Sequence, residues 1–219
     1  MSSFVWMKLL ESAPERYDRG LRLLSAGRIQ EVYEAIADRV AAPGRRILDM
    51  GTGTGSVALA CAARGAKVVA IDINAQMLEI ARAKPLSSGA VEWLELGVAE
   101  IEDALAESSF DAVVSCLLFS ELSDDEQAYA LQIARSRLVP EGALVIADET
   151  RPSTPAARAW YRLRRFPLAA LTYLFTQTST QPVEDLATRI RDAGFGQLEE
   201  RRLWGDTFTI VYAVREEAE

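Results

Sequence analysis

The sequence predicts an α/β protein built on a doubly wound, mostly parallel seven-stranded sheet that ends in an antiparallel hairpin, with helices before the sheet and a helical insertion late in it. Three observations predict it. Between Arg46 and Asp148, short apolar runs alternate five times with helix-like stretches, the rhythm of parallel strands joined by right-handed crossovers. The chain closes with two strand-like runs around Trp204-Gly205-Asp206. At 219 residues, 49% hydrophobic and 26% charged, it is long enough for one domain with a full core. That domain, 1–219, divides into an N-terminal helical cap (1–42), a core (43–150), an insertion of lid type (151–182) and a final helix with the hairpin (183–219).

From Ser12 to Val40, apolar positions at three- and four-residue intervals predict amphipathic helices, divided at Gly20 and Gly27. Pro43-Gly44 then punctuates the chain before a first strand, Arg46 to Met50. A helix from Ser56 to Arg64 is ended by Gly65. The second strand, Lys67 to Asp72, leads into a helix capped by Asn74 and stopped at Pro85. Val91 to Leu96 is the third strand and Phe110 to Ser115 a buried fourth. Ser123-Asp124-Asp125-Glu126 reads as a capping box opening a helix that runs to Leu138. Ala143 to Asp148 is the fifth strand. Residues 152–182 then break the rhythm, rich in aromatic residues and free of acidic ones, as an insertion before a final helix from Val183 to Ala193. The hairpin takes Gln197 to Leu203 and Thr207 to Val214.

Composition excludes several functions. A net charge of −8 argues against a nucleic-acid surface, which needs clustered Lys and Arg to neutralise phosphates. No apolar run reaches the roughly 18 residues of a membrane span, and the N-terminus lacks the pattern of a secretory signal, so a cytoplasmic protein with no membrane insertion is expected. Two cysteines, Cys61 and Cys116, and no histidine support neither a metal site nor a disulfide framework. Acid–base chemistry therefore falls to carboxylates, tyrosine or water.

The run Ile47-Leu48-Asp49-Met50-Gly51-Thr52-Gly53-Thr54-Gly55 pairs a glycine-rich turn with Asp72, an acidic strand end 23 positions after Asp49. Glycines in a strand-to-helix turn let bare backbone approach a ligand, and the acidic residue can accept hydrogen bonds from both hydroxyls of a ribose. A nicotinamide or flavin dinucleotide site is the rival, but its Gly-x-Gly-x-x-Gly spacing fails because Ser56 follows Gly55. The purely structural alternative is an ordinary strand-to-helix turn. Asp49, Gly51, Gly53 and Gly55 resemble the acidic-x-Gly-x-Gly-x-Gly motif of the Rossmann-like, class I S-adenosylmethionine-dependent methyltransferases, which end in a hairpin of the kind read above.

That resemblance implies S-adenosylmethionine as cofactor, with Gly51, Thr52 and Gly53 facing its aminoacyl part, Asp72 on the ribose and Ile73 on the adenine. The family commonly carries Asp-Ala after the third strand; here Gly97-Val98-Ala99-Glu100 stands in its place, leaving Val98 and Ala99 as backbone or apolar contacts. Cys116 and Leu117 are expected near the methionine end. Methyl transfer from a sulfonium needs no metal, only alignment and exclusion of water, which is worth about 7–11 kcal/mol. Where the acceptor must lose a proton, Glu121, Tyr17, Asp148 and Glu149 are the candidate bases. Tyr17 lies in Glu15-Arg16-Tyr17-Asp18, similar to an N-terminal Tyr-Asp element of quinone methyltransferases. Each also has an ordinary structural reading: Asp148 and Glu149 pairing with Arg151, Glu121 supporting the cap, Tyr17 packing its helix.

Arg151, Arg158, Arg162, Arg164 and Arg165 lie among aromatic residues without a carboxylate, either as a flap for an anionic or amphipathic substrate or as a solvated face. Residues 4–20, Phe119-Ser120-Glu121-Leu122 and Phe175-Thr176-Gln177-Thr178 resemble methyltransferases associated with corrinoid proteins, implying a corrinoid-type protein partner. The acceptor is otherwise a small molecule. A non-catalytic cofactor-binding partner and an NAD(P)-dependent oxidoreductase are the competing functions.

Overall fold

A computed structural model describes residues 14–152 and 182–217. Its seven strands are β1 (Arg46–Met50), β2 (Lys67–Asp72), β3 (Ala90–Glu95), β4 (Phe110–Cys116), β5 (Leu138–Glu149), β6 (Phe195–Leu203) and β7 (Phe208–Arg215). They form one sheet in the order β3-β2-β1-β4-β5-β7-β6. The first five run parallel, and β7 pairs antiparallel with both β5 and β6. The seven-stranded class read from the sequence is the one observed.

The central strands are hydrophobic on both faces because helices cover both. Along β1, Ile47 faces one core and Leu48 and Met50 the other, as period-two geometry requires. The Ile47 side is packed by α1 (Pro14–Leu24), α2 (Ile29–Val40) and α3 (Ser56–Ala63). The Leu48 side is packed by α6 (Asp124–Arg137) and α7 (Leu186–Asp192). Two helices between these, α4 (Ala75–Ala83) and the single turn α5 (Ile101–Ala104), flank β2 and β3. Both edge strands are blunted: β3 is only half-buried, and β6 carries Glu199, Glu200, Arg201 and Arg202 outward.

Local chemistry sets the helix starts. The Asn74 side chain accepts from the backbone N–H of Gln76 and Met77 at 3.0 and 3.3 Å. Ser123 and Glu126 exchange hydrogen bonds as the capping box expected of them.

Three boundaries differ most from expectation, while others move by one or two residues, as where β6 starts at Phe195 in place of Gln197. Gly20 lies inside α1; the break falls at Ala26 and Gly27, both with positive φ, after Leu21 has already been buried. β5 starts at Leu138, which pairs with Phe110, and then carries Pro140-Glu141-Gly142 as an irregularity with Glu141 at φ 58°. The last helix starts at Leu186 because Val183 is spent in a parallel bridge to Thr150 and Asp185 adopts φ 49°. The expected insertion at 151–182 lies, but for Arg151, Pro152 and Pro182, outside the described residues, as do the arginines after Arg151 and the segment 175–178.

The connection direction reverses between β1 and β4, since β1 leads to β2 on one side while β4 sits on the other. Ligands of such sheets bind outside the strand ends at that reversal.

Candidate active site

At that reversal the chain turns through Gly51, Thr52, Gly53, Thr54 and Gly55 into α3. Gly51, Gly53 and Gly55 all have positive φ, at 69°, 54° and 79°. They serve different ends. A Cβ on Gly53 would meet nothing within 4 Å, so this backbone is open to a ligand. A Cβ on Gly55 would stand 2.5 Å from the Trp93 ring, so this glycine admits the indole of β3.

Two aspartates hold the turn from opposite sides. Asp49, 1% exposed, accepts from the Thr52 hydroxyl at 2.6 Å. Burial pushes its carboxyl up to about 7; the charge of Asp72 adds to this, and hydrogen bonds from Thr52 and the Ala58 backbone oppose it. Asp72 at the end of β2 accepts from the Gly53 N–H at 2.7 Å through one oxygen and from the Asn74 N–H at 2.8 Å through the other.

A cavity of about 540 Å³ opens beside this turn. Gly51, Gly53 and Asp72 line one side, with Ile73, a large apolar side chain left 76% exposed, on its rim. Val98 and Ala99 in the 3-10 turn after β3 line the next side, and the Glu100 carboxylate there accepts from the Gly97 N–H at 2.7 Å. Cys116 at the end of β4 and Leu117 and Glu121 beyond it complete the wall with Tyr17 from α1. Burial pushes the Cys116 thiol up, with Asp148 and Asp49 adding to it. Leu117 holds φ 66°, a conformation that costs a branched side chain roughly 1–2 kcal/mol, and its N–H is bonded to Ala147 O at 2.9 Å. Backbone strain of this kind gathers at functional sites.

A side chamber of about 30 Å³, enough for a water molecule, lies under the turn between Tyr33, Asp49, Thr52, Thr54 and Ser56. The Tyr33 phenol is pushed well above its ordinary range, first by burial and then by neighbouring negative charge.

The structure therefore brings together Tyr17, Gly51, Gly53, Asp72, Ile73, Val98, Ala99, Cys116, Leu117 and Glu121 on one cavity, with Asp49 and Thr52 beneath it and Gly55 behind. It does not bring Asp148 and Glu149 there. Both are fully buried, because β5 continues through them in antiparallel register with Thr209 and Phe208. Asp148 instead accepts from the Ser120 N–H at 3.1 Å and the Glu149 N–H at 2.7 Å, bracing the turn that presents Glu121 from behind. Gln127 holds the same turn through the carbonyls of Phe119 and Leu122. Arg151 pairs with Glu184, not with these acids.

Sequence reasoning missed Met77, Leu118, Leu122, Glu126 and Tyr129 on the cavity wall. Leu118 follows a strand end directly, a signal that was available. Glu126 and Tyr129 project from α6, whose face is chosen only by packing.

The buried Asp148 carboxyl is also pushed up to about 7, first by burial, with hydrogen bonds from Ser120 and Glu149 opposing and the Glu149 charge adding. An unfolded aspartate titrates near 3.9, so the raised folded value favours folding fully below about pH 4, and that contribution is lost as pH climbs through about 7. Three units correspond to at most on the order of 4 kcal/mol. Urea unfolding from pH 5 to 8 should therefore show Asp148→Asn losing less stability than the native chain; parallel losses would contradict the buried, proton-holding carboxyl.

A mostly parallel sheet of this order, closed by an antiparallel seventh strand and carrying a glycine turn, a strand-end aspartate and a nucleoside-sized cavity, defines a class I S-adenosylmethionine-dependent methyltransferase. Residues 47–142 match a family described as "Methyltransferase domain". Demethylmenaquinone methyltransferase of Clavibacter sepedonicus is 31% identical over 210 residues, 89% of this chain and 84% of that one. Ubiquinone biosynthesis O-methyltransferase of Xanthomonas campestris is 39% identical over 126 residues, and the match spans 57% of this chain and half of that one. Among solved structures, magnesium protoporphyrin IX methyltransferase of Synechocystis, with bound S-adenosylmethionine, superposes with a TM-score of 0.60 at 17% identity over 85% of this chain and 79% of that one. The chain belongs to the S-adenosylmethionine-dependent methyltransferases.

The residues present fit that cofactor: the backbone at Gly53 is open, the Asp72 carboxylate lines the cavity at the end of β2, and Ile73 offers an uncovered apolar face.

Proposed function

We propose that the acceptor is a small quinol-type ring, and that the cavity divides into a cofactor half and an acceptor half. In the cofactor half, Gly51, Thr52 and Gly53 face the aminoacyl part, Asp72 takes the ribose hydroxyls, and Ile73 with Val98 and Ala99 encloses the adenine. Cys116 and Leu117 stand at the methionine end, where the bound cofactor supplies an electrophilic methyl group on a sulfonium. In the acceptor half, Leu118 and Leu122 offer an apolar wall for a ring. Glu121 accepts the proton its hydroxyl gives up, and Tyr17 closes the opposite side.

The observation that carries this reading is the placement of Glu121 on the same short turn as those leucines, directly after the β4 end. The names of the quinone methyltransferase relatives support the acceptor class. The cytoplasmic setting expected from the sequence belongs with this reading; among the described residues no helix is long and apolar enough to cross a membrane.

The test is transfer of labelled methyl from S-adenosylmethionine to a reduced demethylmenaquinone with a short prenyl chain. Transfer is expected, and Glu121→Gln should lower kcat by about 10²- to 10⁴-fold, the usual worth of a positioned base. Label recovered only on a corrinoid-protein fraction would replace the quinol with a protein-bound acceptor.

A further inference from the structure

Among the described residues, α1 packs on the domain through Leu21 and, partly buried against the same core, Tyr17. Of its residues only Leu21 is fully buried, and half of the others in Pro14–Leu24 are charged. Yet this helix carries Tyr17 to the wall of both the cavity and its side chamber. A helix so lightly packed needs a directional tie to hold such a position.

Asp18, the next residue, provides one. One carboxylate oxygen accepts from the Thr54 hydroxyl at 2.5 Å, and the other meets the Lys84 ammonium at 2.5 Å. Thr54 belongs to the glycine turn itself and is only 3% exposed. Lys84 follows the last residue of α4, the helix capped by Asn74, whose N–H is bonded to Asp72. One side chain thus joins α1 to both segments that frame the cofactor half of the cavity.

We propose that Asp18 is a positioning residue that holds α1, and with it Tyr17, closed over the cofactor, so that its two bonds govern how fast the cofactor leaves. The charge on Asp18 makes both bonds stronger than neutral ones. The Thr54 arm is shielded from water, so removing Asp18 strands a buried hydroxyl as well as releasing the helix. This inference rests on the cofactor assignment but not on the acceptor.

S-adenosylhomocysteine is the probe, its release followed by stopped-flow tryptophan fluorescence. Asp18→Ala is expected to speed dissociation about tenfold, the scale of one charge-assisted hydrogen bond. Thr54→Val and Lys84→Met should each give part of that change, and Thr54→Val should add little once Asp18 is gone, since the pair acts as a unit. Leu23→Ser, on the exposed side of the same helix, should leave the rate unaltered. Thermal melts accompany each variant, and Lys84→Met, at a partly exposed site, keeps the test alive should Asp18→Ala fold poorly. Dissociation within twofold of the native rate in both Asp18→Ala and Lys84→Met, or additive effects of Asp18→Ala and Thr54→Val, would overturn the proposal. A native chain that does not bind the probe would instead indict the cofactor site.

Discussion

Asp72→Ala lowers affinity for S-adenosylhomocysteine by about 1.5–3 kcal/mol, or roughly 10- to 150-fold, the range for hydrogen bonds to a charged group. The expectation follows from what the carboxylate does. Its two oxygens hold the Gly53 and Asn74 N–H groups, and the residue lines the cavity. Removal therefore strips the ribose contacts and loosens the turn together. Asp72→Asn removes less, because the carboxamide oxygen still accepts from one backbone N–H, while its NH₂ sets a donor against the other. It should keep one of the two backbone bonds that Asp72→Ala loses, and still lose most of the affinity. Calorimetric titration measures both variants, and affinity unchanged in Asp72→Ala would remove Asp72 from the ribose.

Gly55→Ala is expected to cost stability rather than affinity, by about 2–5 kcal/mol. Left-handed backbone costs an L-residue about 1–2 kcal/mol, and forcing a methyl into a packed site adds about 1–3. Here the methyl would lie 2.5 Å from the Trp93 ring and 3.0 Å from the Ala81 Cβ, both parts of packed elements. Gly53→Ala makes the contrast. Its methyl would meet no protein atom within 4 Å, so only the backbone strain remains as a stability cost, while the new group stands where the cofactor's aminoacyl end is proposed to lie. Urea unfolding with and without S-adenosylhomocysteine distinguishes the two: Gly55→Ala shifts the apo midpoint strongly, and Gly53→Ala chiefly abolishes the ligand's stabilisation. Equal apo shifts would show that the two glycines serve the same purpose.

The difference between these glycines was not legible in the sequence, although the motif was. The glycine turn and the helix caps at Asn74 and Ser123 are local features, set by residues a few positions apart, and they could be read directly. The hairpin was readable for the same reason. What Gly55 packs against depends on Trp93, almost forty positions on, and that is a property of β3 lying beyond β2. The boundaries that shifted did so through pairing: Val183 with Thr150, and Leu138 with Phe110.

Candidate bases show the same limit. Glu121 and Asp148 carry one sequence signal, a carboxylate at or just after a strand end. The antiparallel partner β7 extends β5 past Asp148 and buries it, whereas β4 ends and releases the chain into the turn bearing Glu121. Asp18 illustrates the reverse case. It was visible only as part of a Tyr-Asp wording, and its bonds to Thr54 and Lys84 come from three segments meeting in space.

The most direct measurement is a crystal structure with S-adenosylhomocysteine bound. The ribose hydroxyls should lie within about 3 Å of the Asp72 carboxylate, with the adenine against Ile73 and the amino acid over Gly51 and Gly53. A ligand lodged away from the β1 and β2 strand ends, or one whose ribose contacts neither oxygen of Asp72, would contradict it.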